Sequence, residues 1–220
     1  MEALLKRIDN GDVIILDGAT ATETERRGVP MDSVVWSAGA LKTHPDVVRQ
    51  VHEDYVRAGA DIVTTNTFSS ARQVLGPAGM GDLVVELNQR AVGLAKEIVR
   101  RAAGNRRVYV AGSISTMSSR LQSEPMLPAE QARTSYREQA EILAEAVVDL
   151  LMLEMMRDLE QSSYAIEAAA SMGLPTWVGF NLLRESGSAW LLFVLLLVWG
   201  ADKRSFEIFP MTGHHSWQLW

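Results

Sequence analysis

Short apolar runs alternate with longer amphipathic segments along the first 180 residues of the chain. The apolar runs are rich in β-branched and aliphatic residues and predict five strands, at 13–16, 61–65, 108–111, 150–153 and 175–180. The amphipathic segments carry apolar residues at helical spacing and predict helices at 45–58, 82–102, 128–146 and 159–172. Strand and helix therefore alternate with short connections, which is typical of right-handed βαβ units and a parallel sheet.

Two parallel α/β architectures agree with this pattern, a closed barrel and an open sheet with helices on both faces. The predicted strands are continuously apolar, as expected when both faces of a sheet are covered. No GxGxxG or GxxxxGK(S/T) motif follows any predicted strand, so the nucleotide-binding versions of the open sheet have no motif support.

The composition is that of a globular protein and restricts its partners. The 220 residues are 47% hydrophobic, enough for one core, although α/β barrels usually need about 250 residues. The net charge of −6, with dispersed Lys and Arg, argues against nucleic acid and anionic membranes as partners.

Charges at the N-terminus leave no apolar export signal, which predicts a cytoplasmic protein. The apolar run 189–199 is shorter than the roughly 20 residues that span a bilayer, so it predicts a buried strand or helix.

Polar side chains collect where the predicted strands end. Asp17, Ser113 and Glu154 each follow an apolar strand, and so do the polar residues of 64–67 and Asn181. In parallel α/β folds the C-terminal ends of the strands meet at one rim, where ligands bind. Acidic residues that close buried strands are hard to explain as solvated surface. The sequence therefore predicts a ligand-binding rim.

An ordered series of short segments resembles the homocysteine S-methyltransferase family. The segments that carry the resemblance are Leu16-Asp17-Gly18-Ala19-Thr20, Trp36-Ser37, His44-Pro45, Asp54-Tyr55, Ala58-Gly59-Ala60-Asp61, Thr64-Thr65-Asn66-Thr67-Phe68, Ala111-Gly112-Ser113, Asp149-Leu150-Leu151 with Glu154, and Gly173-Leu174-Pro175. They follow the order and approximate spacing of the family. Each segment alone is weak evidence, whereas the ordered series is specific.

The resemblance implies a (β/α)8 TIM-type barrel that transfers a methyl group from a small donor to the thiol of homocysteine, giving methionine. It also implies a zinc ion held by three cysteines. Zinc deprotonates a thiol that coordinates it, so the ion would supply the nucleophilic thiolate of homocysteine. Asp17 and Glu154 match the family's acids that hold the amino group of homocysteine, as two carboxylates suit an ammonium. Thr65 matches a position beside the amino-acid moiety. Trp36 matches an aromatic side chain on the methyl-donor side, where a cation would lie against the ring.

Two histidines also match family positions, but their surroundings favour structural roles. His44 precedes the predicted helix 45–58 and His52 lies inside it, so we expect packing or hydrogen bonding from both.

The chain departs from the family in its cysteines and in its tail. It contains no cysteine, and residues 181–220 neither resemble the family nor continue the alternation of strand and helix. Adjacent His214 and His215 are poor substitutes as zinc ligands, because neighbours in an extended chain point to opposite faces. We therefore predict one incomplete barrel domain over 1–220, family-like over 1–180 and truncated after about five βα units, in which the family's zinc has no cysteine ligands.

Four functions agree with the sequence. The first is a homocysteine S-methyltransferase family member that is inactive alone, and the second is a degenerate barrel that binds an amino acid without catalysis. The third is a non-functional truncated product, and the fourth is an unrelated barrel enzyme that uses the same rim. An incomplete sheet also leaves an open edge, which we expect to be covered. Either the apolar run covers this edge, or a second copy of the chain pairs with it and forms a homo-oligomer.

Overall fold

The computed structural model describes residues 1–116, 127–180, 194–198 and 206–210. Its helices are α1 (Glu2–Asp9), α2 (Thr20–Arg26), α3 (Ala40–Thr43), α4 (Pro45–Ala58), α5 (Arg72–Leu75), α6 (Val84–Ala102), α7 (Ala129–Glu145) and α8 (Leu159–Ala170), with 3-10 turns at Ser37–Gly39 and Gly81–Leu83. Its strands are β1 (Ile62–Thr64), β2 (Tyr109–Ser115), β3 (Leu150–Met156), β4 (Thr176–Phe180), β5 (Val194–Val198) and β6 (Phe206–Pro210). The four predicted helices are confirmed within two residues at each end. None of the helices in these ranges is long and apolar enough to cross a membrane.

The strands form one sheet in the order β1 to β6. Strands β1 to β4 are parallel neighbours, which confirms the predicted α/β fold with a parallel sheet. Strand β5 instead runs antiparallel to β4, and β6 runs antiparallel to β5. The apolar run 189–199 thus contains a strand that covers the edge of β4. A (β/α)8 barrel requires a parallel strand at this position.

The predicted strand at 13–16 is corrected to a single parallel bridge between Leu16 and Ile62. Residues 13–16 make this backbone pairing with β1 alone among the described strands. The carbonyl of Ile15 accepts from the N–H of Ile62 at 3.2 Å. Val13 and Ile15 are 80% and 51% exposed. A strand with one partner and an uncovered face has few contacts to keep it regular, and this explains why the ladder is short.

Helix α4 shows how the sequence sets the ends of an element. Pro45 lies in the first turn, where its missing N–H costs no helical hydrogen bond. Gly59 has a φ of 111° and closes the helix in the left-handed conformation that glycine adopts readily. Val48, Val51 and Val56 are buried on one side of the helix. Both end signals and the apolar face agree, so the predicted bounds are those observed.

The two faces of the sheet are both covered by apolar side chains. Helices α4, α6, α7 and α8 cover one face and pack on strand residues such as Val63 and Leu151. Alternate residues of the same strands, among them Ile62 and Leu150, form a second cluster with Leu4 of α1 on the other face. Because successive side chains of a strand point to opposite faces, burial of both faces explains the continuously apolar strands.

Candidate substrate-binding site

Asp17 follows the bridge at Leu16 and is oriented by Thr64, the last residue of β1. The backbone N–H of Thr64 donates to Oδ2 of Asp17 and its hydroxyl donates to Oδ1, both at 2.8 Å. Burial raises the pKa of Asp17 to about 7, and the hydrogen bonds from Thr64 oppose this rise because they favour the ionised form. The sequence placed Thr64 on the rim without a role. The structure shows that it fixes both oxygens of Asp17.

The sequence predicted Glu154 at the end of its strand, but the structure places it inside β3. The pairing of β3 with β4 shifts register between Leu153 and Met156, which inserts one extra residue into β3. Within this bulge Met155 has a φ of 56°. A β-bulge re-aims the side chains around it, and bulges are frequent beside functional sites. The bulge therefore sets the direction of the Glu154 carboxyl.

Asp17 and Glu154 lie close enough to interact electrostatically. Burial, and then the negative charge of Asp17, raise the pKa of Glu154 to about 7, while the side chain of Ser113 opposes the rise. Neither carboxylate has a basic partner among the described residues. Burial and mutual repulsion disfavour two anions here, so the pair favours a proton or a cation. An ammonium group suits this arrangement, because it donates charge-assisted hydrogen bonds to several acceptors.

Thr65 is buried at the same rim, and its hydroxyl is engaged within the protein. Its Oγ1 accepts from the N–H of Ser113 at 3.2 Å and lies 2.8 Å from Oγ1 of Thr67. Its own N–H donates to the carbonyl of Ala111 at 2.9 Å. These contacts join the segment after β1 to β2. The hydroxyl of Thr65 is thus satisfied by the protein itself.

Trp36 is half-buried in the loop that precedes the 3-10 turn Ser37–Gly39. Its ring centroid lies 6.4 Å from that of Phe68, with the ring planes tilted by 33°. Phe68 belongs to the segment after β1, so this contact places Trp36 against the β1 side of the rim. The structure therefore brings Asp17 and Glu154 together as a pair and connects Trp36 to the segment that carries Thr65.

Tyr55 of α4 is a residue of this region to which the sequence assigned no role. A Cβ atom added to Gly18 would lie 2.6 Å from Oη of Tyr55 and 2.9 Å from its ring carbons, so the ring packs directly on the turn after Asp17. Its hydroxyl donates to the carbonyl of Ala19 at 3.4 Å. Burial, with the nearby carboxylates, raises the pKa of Tyr55 to about 12. The glycine after Asp17 was the one signal of this close approach.

The described residues offer no donor set for a metal ion. No group of three or more His, Cys, Asp or Glu side chains among them could hold one, and the chain has no cysteine. His52 is fully buried in α4 without a hydrogen-bond partner at either ring nitrogen, and burial lowers its pKa to about 4. His44 is exposed, with Nδ1 2.9 Å from the hydroxyl of Thr43. The remaining predicted candidates lie outside the described residues: Asn181, His214 and His215.

Comparisons with known sequences identify relatives over most of the chain. Residues 14–193 match the model of the family described as homocysteine S-methyltransferase. The chain is 30% identical over 176 residues to betaine–homocysteine S-methyltransferase 1 of Sus scrofa, which covers 79% of this chain and 61% of that protein. It is also 30% identical over 177 residues to an S-methylmethionine–homocysteine S-methyltransferase of Mus musculus, which covers 80% of this chain and 45% of that protein.

Solved structures agree with the sequence comparisons. The metallated form of the homocysteine methyltransferase MmuM from Escherichia coli superposes with a TM-score of 0.67 at 28% identity, over 84% of this chain and 68% of that chain. The chain spans 61% of the Sus scrofa relative and 42% of the Mus musculus betaine–homocysteine S-methyltransferase 1. The matched range contains all four predicted site residues and excludes the alternative of an unrelated barrel enzyme. This chain belongs to the homocysteine S-methyltransferase family.

Proposed function

We propose that the rim of this protein binds the amino group of homocysteine between Asp17 and Glu154, as part of a methyltransferase-type site. The observation that carries the proposal is the pair of interacting carboxylates, which has no basic partner among the described residues. An ammonium group placed between them offsets one of the two negative charges and donates charge-assisted hydrogen bonds to both carboxylates. Thr64 supports this role because it keeps both oxygens of Asp17 in a fixed orientation.

In the same proposal the reaction class is methyl transfer to a thiol. The methyl carbon leaves the sulfur or nitrogen of a small donor and bonds to the sulfur of homocysteine, which loses its proton and becomes the thioether of methionine. Thr65 lies beside the amino-acid moiety, and Trp36 lies on the donor side, where a sulfonium or quaternary ammonium contacts its ring. The contact of Trp36 with Phe68 supports an aromatic surface on that side.

The residues of this chain do not fit the zinc ion that the family resemblance implies. That ion would turn the thiol into the nucleophilic thiolate, but the chain has no cysteine and the described residues contain no alternative group of three ligands. A free thiol has a pKa near 8.5 and is mostly protonated at neutral pH. We therefore propose that these 220 residues do not transfer methyl groups by themselves.

The proposal also concerns the architecture. We propose a single incomplete (β/α)8 barrel domain over 1–220, family-like over 1–180 and divergent over 181–220. The parallel order of β1 to β4 supports the barrel, as does the superposition on MmuM. The family match extends past this boundary to residue 193, and the antiparallel strand β5 begins at Val194. Residues 13–16 leave one edge of the sheet uncovered, which supports pairing with a second copy of the chain. Light scattering of the purified chain measures its mass and tests this pairing.

A second candidate is an amino-acid-binding barrel fragment without catalysis. The observation that favours it is the combination of a complete acid pair with the absence of cysteine. In this function the ligand is recognised through its ammonium group, and its thiol plays no part. Norvaline, which has a methyl group where homocysteine has its thiol, then binds about as tightly as homocysteine.

Isothermal titration calorimetry of the full chain with L-homocysteine, with and without zinc, tests both candidates. We expect binding that is indifferent to zinc and weakened at least about tenfold by Asp17→Asn or Glu154→Gln, since each removes a charged acceptor. Asp9→Asn is the matched control, because it removes the same charge from the exposed end of α1. Zinc-dependent binding with turnover would show that a metal site exists after all. Absence of any binding would contradict both candidates and support a non-functional product.

A further inference from the structure

Trp36 has a backbone conformation that residues with a side chain rarely adopt. Its φ is 48° and its ψ is −124°. Within the described ranges three non-glycine residues have a positive φ: Trp36, Met155 and Val147. A strained conformation of this kind persists only where the surrounding contacts over-determine it. The contacts that constrain Trp36 lie on both of its chain neighbours.

The segment after β1, residues 65–70, makes hydrogen bonds to the residues on either side of Trp36. The hydroxyl of Ser69 donates to the carbonyl of Val35 at 2.8 Å. The hydroxyl of Ser37 donates to Oδ1 of Asn66 at 2.6 Å, and Nδ2 of Asn66 donates back to the carbonyl of Ser37 at 3.0 Å. Ser37, Asn66 and Ser69 are each at most 5% exposed, so little water competes for these bonds. The backbone before and after the indole is thus fixed from one side.

The binding segment is itself anchored in the protein core. Thr67 donates through Oγ1 to the carbonyl of Ser113 in β2 at 2.7 Å. From α7, Nε2 of Gln139 donates to the carbonyl of Thr67 at 2.8 Å. Ser70 donates to Oδ1 of Asn88 in α6 at 2.7 Å. A segment with partners in a strand and two helices can impose a conformation on a neighbouring loop.

We infer that Asn66 and Ser69 are positioning residues that hold Trp36 in its strained conformation and thereby set where the indole face meets a cationic methyl donor. The first part of the inference follows from the hydrogen bonds, whereas the donor part rests on the proposed function. Attraction between a cation and a ring depends on placement of the cation over the ring face. Asn66 acts only through Ser37, because both ends of its amide are bonded to that residue.

Fluorine NMR of the full chain labelled with 5-fluorotryptophan tests the positioning, with the Trp36 signal assigned by Trp36→Phe. Ser37→Ala, Asn66→Ala and Ser69→Ala are each expected to shift or broaden this signal. Ser162→Ala is the control, since it deletes an equally buried hydroxyl that lies in α8 and has no hydrogen-bond partner, and it leaves the signal in place. Should Asn66→Ala fail to fold, the two serine variants still decide. An unchanged signal in folded Ser37→Ala and Ser69→Ala would overturn the inference.

Calorimetric titration with two probes tests the donor part. Ser37→Ala is expected to weaken tetramethylammonium binding at least about threefold and to leave L-homocysteine binding unchanged. Equal weakening of both probes would show that the segment supports the whole rim, which contradicts a role specific to the donor side. Binding of neither probe to the wild-type chain would contradict the proposed function, while the fluorine signals would still decide the positioning of Trp36.

Discussion

Thr64 binds both carboxylate oxygens of Asp17, one through its backbone N–H and one through its hydroxyl, each at 2.8 Å. The backbone bond survives any substitution other than proline, whereas the hydroxyl bond depends on the side chain. These two bonds can therefore be separated experimentally, and the pKa of Asp17 reports on the result.

Thr64→Val removes the hydroxyl donor and keeps the shape of the side chain. Because the hydrogen bond favours the ionised carboxylate, we expect the pKa of Asp17 to rise further above its value of about 7. We also expect the chain to lose on the order of 1 kcal/mol of stability. Carbon-13 NMR titration of the Asp17 carboxyl and urea unfolding measure the two effects. Thr64→Ser restores the hydroxyl and should return both quantities toward wild type.

The acid pair makes the stability depend on pH. The pKa values of Asp17 and Glu154 are both raised to about 7 in the folded chain, from 3.8 and 4.5. The folded state thus retains protons that the unfolded state releases, so the stability from this pair is complete below about pH 4 and is lost as the pH rises through about 7. In Asp17→Asn/Glu154→Gln this loss between pH 4 and 7 disappears. Urea unfolding of both proteins across the range measures the difference, and parallel pH profiles would contradict the prediction.

His52 acts in the opposite direction over a similar range. Burial lowers its pKa from 6.5 to about 4, so the unfolded state takes up a proton first as the pH falls. The stability that depends on neutral His52 is complete above about pH 6.5 and falls by on the order of 3 kcal/mol as the pH drops to 4. His52→Leu removes this dependence, and it costs little at pH 7 because both ring nitrogens are unpaired. The exposed His44→Gln serves as the control. An acid profile identical to wild type in His52→Leu would refute the assignment.

Gly18→Ala introduces a Cβ atom 2.6 Å from Oη of Tyr55. The ring must then move off the turn after Asp17, and we expect a loss of about 1–3 kcal/mol. Tyr55→Ala in the same chain removes the clash, so the double variant loses less than the sum of the single variants. Gly93→Ala in α6 is the matched control, because nothing lies within 4 Å of its new Cβ and alanine favours a helix by about 0.5–1 kcal/mol. Urea unfolding of the wild type, Gly18→Ala, Tyr55→Ala and the double variant completes the cycle. Strictly additive losses of stability would argue against direct contact.

The sequence by itself determined the features that depend on short stretches of chain. The helical spacing of Val48, Val51 and Val56, between Pro45 and Gly59, located α4 to the residue. The continuously apolar strands indicated a sheet covered on both faces, and the apolar clusters on the two faces confirmed it. These predictions succeed because periodicity, proline and glycine act within one element. The acids Asp17 and Glu154 were placed near the rim by the same logic.

Tertiary structure decided whatever depends on a partner that is distant in sequence. The apolar run that contains β5 predicted a strand or a helix, and its antiparallel direction depends on the edge that β4 leaves open. The bulge at Glu154 depends on the register between β3 and β4. The strained backbone of Trp36 depends on Asn66 and Ser69, about 30 residues further along. Hydrogen-bond partners across such distances leave no periodic pattern in the chain, because only folding brings them within reach.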